Sequence, residues 1–102
     1  MNFDISIQPK GENLEVVLKG DLDINSSPKM KTTVLDAYEE IGGDIIFSLE
    51  QLEYLDSTGL GAFISIYKHT KEKSHTICIQ GAKANIKKLF TITELDRVFS
   101  VE

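Results

Sequence analysis

The chain has 102 residues, 41% of them hydrophobic and 26% charged, with a formal net charge of -5 at pH 7. That length suits a single domain spanning residues 1–102 around one core, and the composition excludes a disordered chain. The acidic balance, with no cluster of Lys and Arg interleaved with aromatics, speaks against nucleic acid as a partner.

The opening "MNFDISIQPK" has neither the positive start nor the apolar run of a secretory signal. No stretch approaches the roughly 18 apolar residues of a membrane span. A cytoplasmic protein with no membrane partner is expected. "FDISIQ" alternates apolar Phe3, Ile5 and Ile7 with polar residues, and "LEVVLKG" does the same through Leu14, Val16 and Leu18. The "PKGEN" between them has turn chemistry, which predicts an antiparallel hairpin with one buried face.

"SSPKMKTTVLDAYEEIGG" predicts a helix, capped by Ser27 with Pro28 at its first position and stopped at Gly42-Gly43. Met30, Val34, Ala37, Tyr38 and Ile41 fall on one stripe. "DIIFSL" is a continuous apolar run, the pattern of a central strand covered on both faces. Leu49, Leu52 and Leu55 then recur at every third residue, as anchors of a partly irregular connection. Beyond "DSTG", Leu60, Ala62, Phe63, Ile64, Ile66 and Tyr67 form a second helical stripe. "HTICIQG" predicts a buried strand, "NIKKLF" a short amphipathic helix, and "TELDRVFSV" a capped helical turn followed by a short strand. The strand–helix–strand unit from 44 to 80 requires parallel strands with a right-handed crossover, so the sheet is mixed. The one-sided first strands predict helices mostly on one face. Cys78 is the only cysteine and is expected to be a buried small apolar residue.

The chemistry-bearing stretch is "YLDSTGLG". Catalysis at Ser57 would need a base, but only His69 and His75 exist. Both lie at or beyond the far end of the second helix, ~15–20 Å from its start at a rise of ~1.5 Å per residue. Leu55 also stands where a nucleophile elbow needs glycine. The two histidines share no ligand spacing with Cys78 or a carboxylate pair, so no metal is expected and they read as surface residues. Asp21 and Asp23 project the same way from an extended segment, as an acid pair, a weak cation site or a solvated turn. Gly59 and Gly61 lack the third glycine of a dinucleotide fingerprint, since Ile64 holds its place. Their missing side chains are better explained by close helix packing or by room for a partner. Asp56, Ser57 and Thr58 all suit an N-cap, yet a cap needs one such side chain. A helix start also welcomes an anion, so the fold would tolerate phosphate on Ser57.

"YLDSTGLGAF" resembles the phosphorylation-site motif of the STAS domain, specifically of bacterial anti-sigma factor antagonists of the single-domain type. "LKGDLDINSSP" is similar to that family's Gly-acid-hydrophobic-Asp turn, and "IKKLFTITELDRVFSV" is similar to its C-terminal signature. The resemblance runs the length of the chain. It implies an α/β fold with a STAS-like mixed β-sheet of about four to five strands and helices packed mainly on one face. It further implies that Ser57, rather than Thr58, is phosphorylated by an anti-sigma factor that is also a serine kinase. The unphosphorylated protein would bind this kinase and free a sigma factor, a PP2C-type serine phosphatase would reset the switch, and the chain would have no catalysis or cofactor of its own. A monomer is expected when free. The partner-binding surface is expected to combine Asp21, Asp23, Asn25, Ser26, Ser27, Asp56, Ser57, Thr58, Gly59 and Gly61. The other implied role is an accessory or nucleotide-binding STAS domain in a transport or sensory complex. The chain departs from the family pattern at Glu94, where Gly is common, and in the polar "INSSP".

Overall fold

The computed structural model describes residues 2–102. Strands β1 (Phe3–Lys10) and β2 (Asn13–Leu22) form the expected antiparallel hairpin. Helix α1 (Ser27–Ile41), strand β3 (Ile45–Leu55), helix α2 (Ser57–Glu72), strand β4 (Ile77–Gln80) and helix α3 (Ala84–Ile92) follow. A single 3-10 turn (Leu95–Arg97) leads into β5 (Ser100–Val101). The strands lie in the order β1-β2-β3-β4-β5, and every pair after the hairpin is parallel.

Register explains which residues make the core. Ile7, Val16, Phe47, Ile79 and Val101 sit side by side across the five strands, with Leu14, Ile45 and Ile77 in a neighbouring row. Because side chains alternate along a strand, both rows point to the face that the helices cover. Met30, Val34 and Tyr38 of α1, Phe63 and Ile66 of α2, and Ile86 and Phe90 of α3 close over them. Phe63 is central, with its ring 4.9 Å from Phe47 and 5.5 Å from Phe90 in edge-to-face contacts. Ile41, placed on the α1 stripe by its spacing, ends up exposed at the last residue of the helix.

The opposite face of the sheet carries Gln8, Glu15, Ile46, Cys78 and Ser100 in one row and has no helix over it. Ile46 is half-exposed there, so β3 is not covered on both faces as its apolar run suggested. Cys78 is likewise half-exposed, out of phase with buried Ile77 and Ile79, and its Sγ donates to Glu102 Oε2 at 3.4 Å. Burial and the Glu102 carboxylate both push its thiol pKa up, which disfavours the reactive thiolate.

Strand β3 runs unbroken to Leu55, through the stretch expected to be an irregular connection. Its pairing with β2 slips between Val17 and Lys19 and again between Gly20 and Asp21, each time admitting an extra β3 residue. Each bulge shifts the alternation by one place. Leu49, Leu52 and Leu55 are therefore all buried, and the three-residue spacing is the mark of two bulges in a strand.

Two local starts differ from expectation. Ser26, not Ser27, is the N-cap position of α1, without a side-chain cap bond, while Ser27 is its first residue. The 3-10 turn has no side-chain cap either, because Glu94 precedes it at φ 60° and the Thr93 hydroxyl donates back to Leu89 O at 2.6 Å. His75 is no simple surface residue: half-buried, its Nδ1 lies 2.6 Å from the hydroxyl of buried Tyr38.

Candidate functional site

The parallel strands β2 and β3 end together, with Leu22 opposite Leu55, and each hands over to a helix. The residues after those strand ends therefore meet at one edge of the sheet, as ends of parallel strands do in open α/β sheets.

On the β3 side the handover is tight. Asp56 adopts an extended conformation and its Oδ1 accepts from the Gly59 amide at 3.0 Å, which makes it the N-cap of α2. Asp56 also anchors to β2 through its amide, 3.3 Å from Leu22 O. Ser57 is thus the first residue of the helix and Thr58 the second; both are exposed, and among the described residues neither hydroxyl has a hydrogen-bond partner. The amides of the first turn and the helix dipole favour negative charge at this position.

Gly59 is buried, and a side chain there would meet Leu22 O at 2.9 Å besides the Leu55 side chain. It is the point where α2 presses on the strand ends. Gly61 differs: a Cβ would meet nothing within 4 Å. It lies in the wall of a groove of about 320 Å³ between α1 and α2, with Ser27, Pro28, Lys31, Thr58 and Ser65 around it.

On the β2 side, residues 21–26 are tied into a rigid loop. Asp23 is buried, and its Oδ1 accepts from the amides of Asn25 at 2.9 Å and Ser26 at 3.2 Å. The Ser26 hydroxyl donates to Asp21 O at 2.7 Å and accepts from the Asp23 amide at 2.9 Å. These bonds turn Ile24 outward, where it is 68% exposed. Asp21, Asp23, Ile24, Asn25, Tyr54 and Asp56 together line a cleft at this edge.

The structure thus brings Asp21, Asp23, Asn25 and Asp56 around one cleft, and Ser27, Thr58 and Gly61 around the adjacent groove, with Ser26 in the loop between. Asp23 Oδ1 and the Ser26 hydroxyl are spent on the loop, and Gly59 lies beneath the surface. Among the described residues, no group of three or more His, Cys, Asp or Glu is arranged to hold a metal, and no helix is long and apolar enough to cross a membrane. Three surface residues escaped the sequence reading: Ile24, Tyr54 and Lys31. Tyr54 had a signal, since it falls between Leu52 and Leu55 in the three-residue spacing and so must face out.

A family model described as STAS domain matches residues 4–102. The chain is 31% identical over 101 residues to the anti-sigma-B factor antagonist of Staphylococcus aureus (strain NCTC 8325 / PS 47), covering 99% of this chain and 94% of that protein. It is 26% identical over 101 residues to the anti-sigma-B factor antagonist of Bacillus subtilis (strain 168), covering 99% and 92%. Among solved structures, an anti-sigma factor antagonist from Mycobacterium paratuberculosis superposes with a TM-score of 0.82 at 18% identity, covering 98% of this chain and 85% of that one. The anti-sigma factor antagonist SpoIIAA in its unphosphorylated form gives 0.72 at 18% identity, covering 95% and 97%. These structures share the fold of five strands and flanking helices. The chain belongs to the STAS domain family and, within it, to the anti-sigma factor antagonists.

Proposed function

We propose that this chain is a regulatory switch without catalysis of its own. Unphosphorylated, it binds an anti-sigma factor that is also a serine kinase and thereby frees the sigma factor. Phosphorylation on Ser57 ends that binding, and a PP2C-type serine phosphatase restores it. In this reading the protein works in the cytoplasm and is a monomer when free. The partner surface is Asp21, Asp23, Asn25, Ser26, Ser27, Asp56, Ser57, Thr58 and Gly61, with Gly59 holding the helix start beneath them.

The observation that carries the reading is the hydroxyl of Ser57, exposed at the first residue of a helix whose cap is supplied by its neighbour Asp56. Modification of Ser57 therefore leaves the cap bond in place. Among the described residues neither histidine is placed to turn that hydroxyl into a nucleophile: His69 is engaged with Ser65 O at 3.0 Å and His75 with Tyr38 at 2.6 Å. A phosphate adds about 1.5 to 2 negative charges at neutral pH, which the helix start tolerates but a docked acidic or apolar surface does not. One like-charge contact at about 5 Å, with an effective dielectric near 20, is worth about 3 kcal/mol before screening. That corresponds to on the order of a hundredfold in affinity, with no change of fold required.

Incubation with the cognate kinase and ATP, followed by peptide mass spectrometry, tests the site. Phosphate is expected on Ser57 and absent from Ser57→Ala, which still binds the kinase; Ser57→Asp binds on the order of a hundredfold more weakly. Phosphate on another residue with Ser57 unmodified would overturn the assignment.

A further inference from the structure

Glycine at position 61 is not explained by the fold. It lies inside α2, its φ is outside the left-handed region, and a Cβ there would meet nothing within 4 Å. Neither strain nor crowding calls for glycine, and within a helix glycine is less favourable than alanine. What the missing side chain leaves is depth in the groove of about 320 Å³ between the starts of α1 and α2.

That groove has a definite polarity. Both helices begin at this end of the molecule, so their dipoles favour negative charge there, although the Ser27 amide already donates to Asp23 O, Pro28 has none and the Gly59 amide is capped by Asp56. Lys31 on its rim is exposed and, among the described residues, is paired with no carboxylate. Ser27, in the wall, is 2% exposed and among the described residues its hydroxyl has no hydrogen-bond partner, an uncompensated polar group. On the far side of Ser57 the cleft instead carries Asp21, Asp23 and Asp56. Ser57 therefore stands between an acidic cleft and a cationic groove.

We infer that the α1–α2 groove receives an acidic side chain of the anti-sigma factor, inserted over Gly61 with its carboxylate toward Lys31. This rests on the proposed function, and it gives the switch its sign. A phosphate on Ser57 competes for the positive potential that holds the incoming carboxylate, whereas a basic insert would be held more tightly after phosphorylation. Gly61 then sets partner specificity by depth, and Lys31 by charge.

The test is calorimetric titration of the purified cognate anti-sigma factor kinase into the full chain and its variants, with thermal melts alongside. Gly61→Ala is expected to raise the melting temperature by about 4 °C while weakening binding. Gly61→Leu and Lys31→Glu should each weaken binding by about tenfold or more, with Lys31→Arg within about twofold of the unaltered chain. Should Gly61→Leu fail to fold, Lys31→Glu against Lys31→Arg still decides. Binding by Lys31→Glu within about twofold of the unaltered chain overturns the groove assignment and leaves the proposed function standing. Failure of the unaltered chain to bind the kinase or take phosphate from it overturns both.

Discussion

The two ends of the parallel strands use their polar groups in opposite ways. Where β3 and β4 begin, side-chain and backbone groups lock the strand starts together: Asp44 Oδ1 accepts from the Thr76 amide at 2.8 Å, Asp44 O from the Leu14 amide at 2.9 Å, and Thr76 O from the Ile45 amide at 3.0 Å. Tyr38 and His75 close that end across the helix layer. Where β2 and β3 finish, the backbone is held just as firmly by Asp56, Asp23 and Ser26, but the side chains beyond them are left free. Ser57 and Thr58 are exposed, and Ile24 and Tyr54 are 68% and 50% exposed. The candidate binding end thus combines a fixed backbone with uncommitted side chains, while the opposite end ties side chains into its backbone as well.

The largest expected effect falls on both ends at once, because one core underlies them. Phe63→Ala should cost about 3–5 kcal/mol in urea unfolding through the cavity left among Phe47, Phe90 and Phe99. Loss below about 1 kcal/mol would mean that the ends are stabilised separately. Next, Gly59→Ala pushes a methyl against Leu22 O and should cost about 1–3 kcal/mol, displacing Ser57 with the helix start. Reduced phosphate uptake by this variant, beyond its loss of stability, would sharpen the view that the site's backbone must be held.

Tyr38→Phe tests the structural end alone. It should cost about 1 kcal/mol and leave kinase affinity unchanged. Burial, with Glu39 and Asp44 nearby, raises the Tyr38 pKa, so the unfolded chain loses this proton first as pH rises. The tyrosine's stabilisation is present at neutral pH and is lost as pH climbs beyond about 10, toward the higher folded-state pKa. Unfolding curves from pH 8 to 11 should therefore fall more steeply for the unaltered chain than for Tyr38→Phe. The smallest effect is a gain. Glu94 sits at φ 60°, a conformation natural to glycine, so Glu94→Gly should stabilise by about 0.5–1 kcal/mol despite losing an exposed 3.1 Å pair with Arg97.

Much of this was legible from residue patterns, and the misses share a cause. The start of α2 at Asp56, the hairpin and the parallel crossover follow from local chemistry that tertiary contacts leave alone. The length of β3 did not, because two bulges turn a strand's alternation into a three-residue spacing that mimics a loop. Cys78 and Ile46 look like core residues by composition, yet their phase puts them on the uncovered face. Ser26 and Ser27 could each have begun α1; Ser26 takes the cap position but its hydroxyl is spent on the loop, donating to Asp21 O and accepting from the Asp23 amide, so it makes no cap bond. At the candidate site, Ser57 and Asp56 stood out as a polar run between apolar segments. Ile24 stayed hidden because an exposed isoleucine runs against hydrophobic patterning, and only the bonds of the loop turn it outward.

The sheet order equals the order of the strands along the chain. No strand has to be threaded between two that have already paired. The hairpin can form first from neighbouring residues, and each later strand adds to a growing edge with its helix folding over behind it. Loop closures stay short at every step, which favours fast folding for a sheet that is mostly parallel and gives a chain leaving the ribosome N-terminus first a route with no long wait for a distant partner.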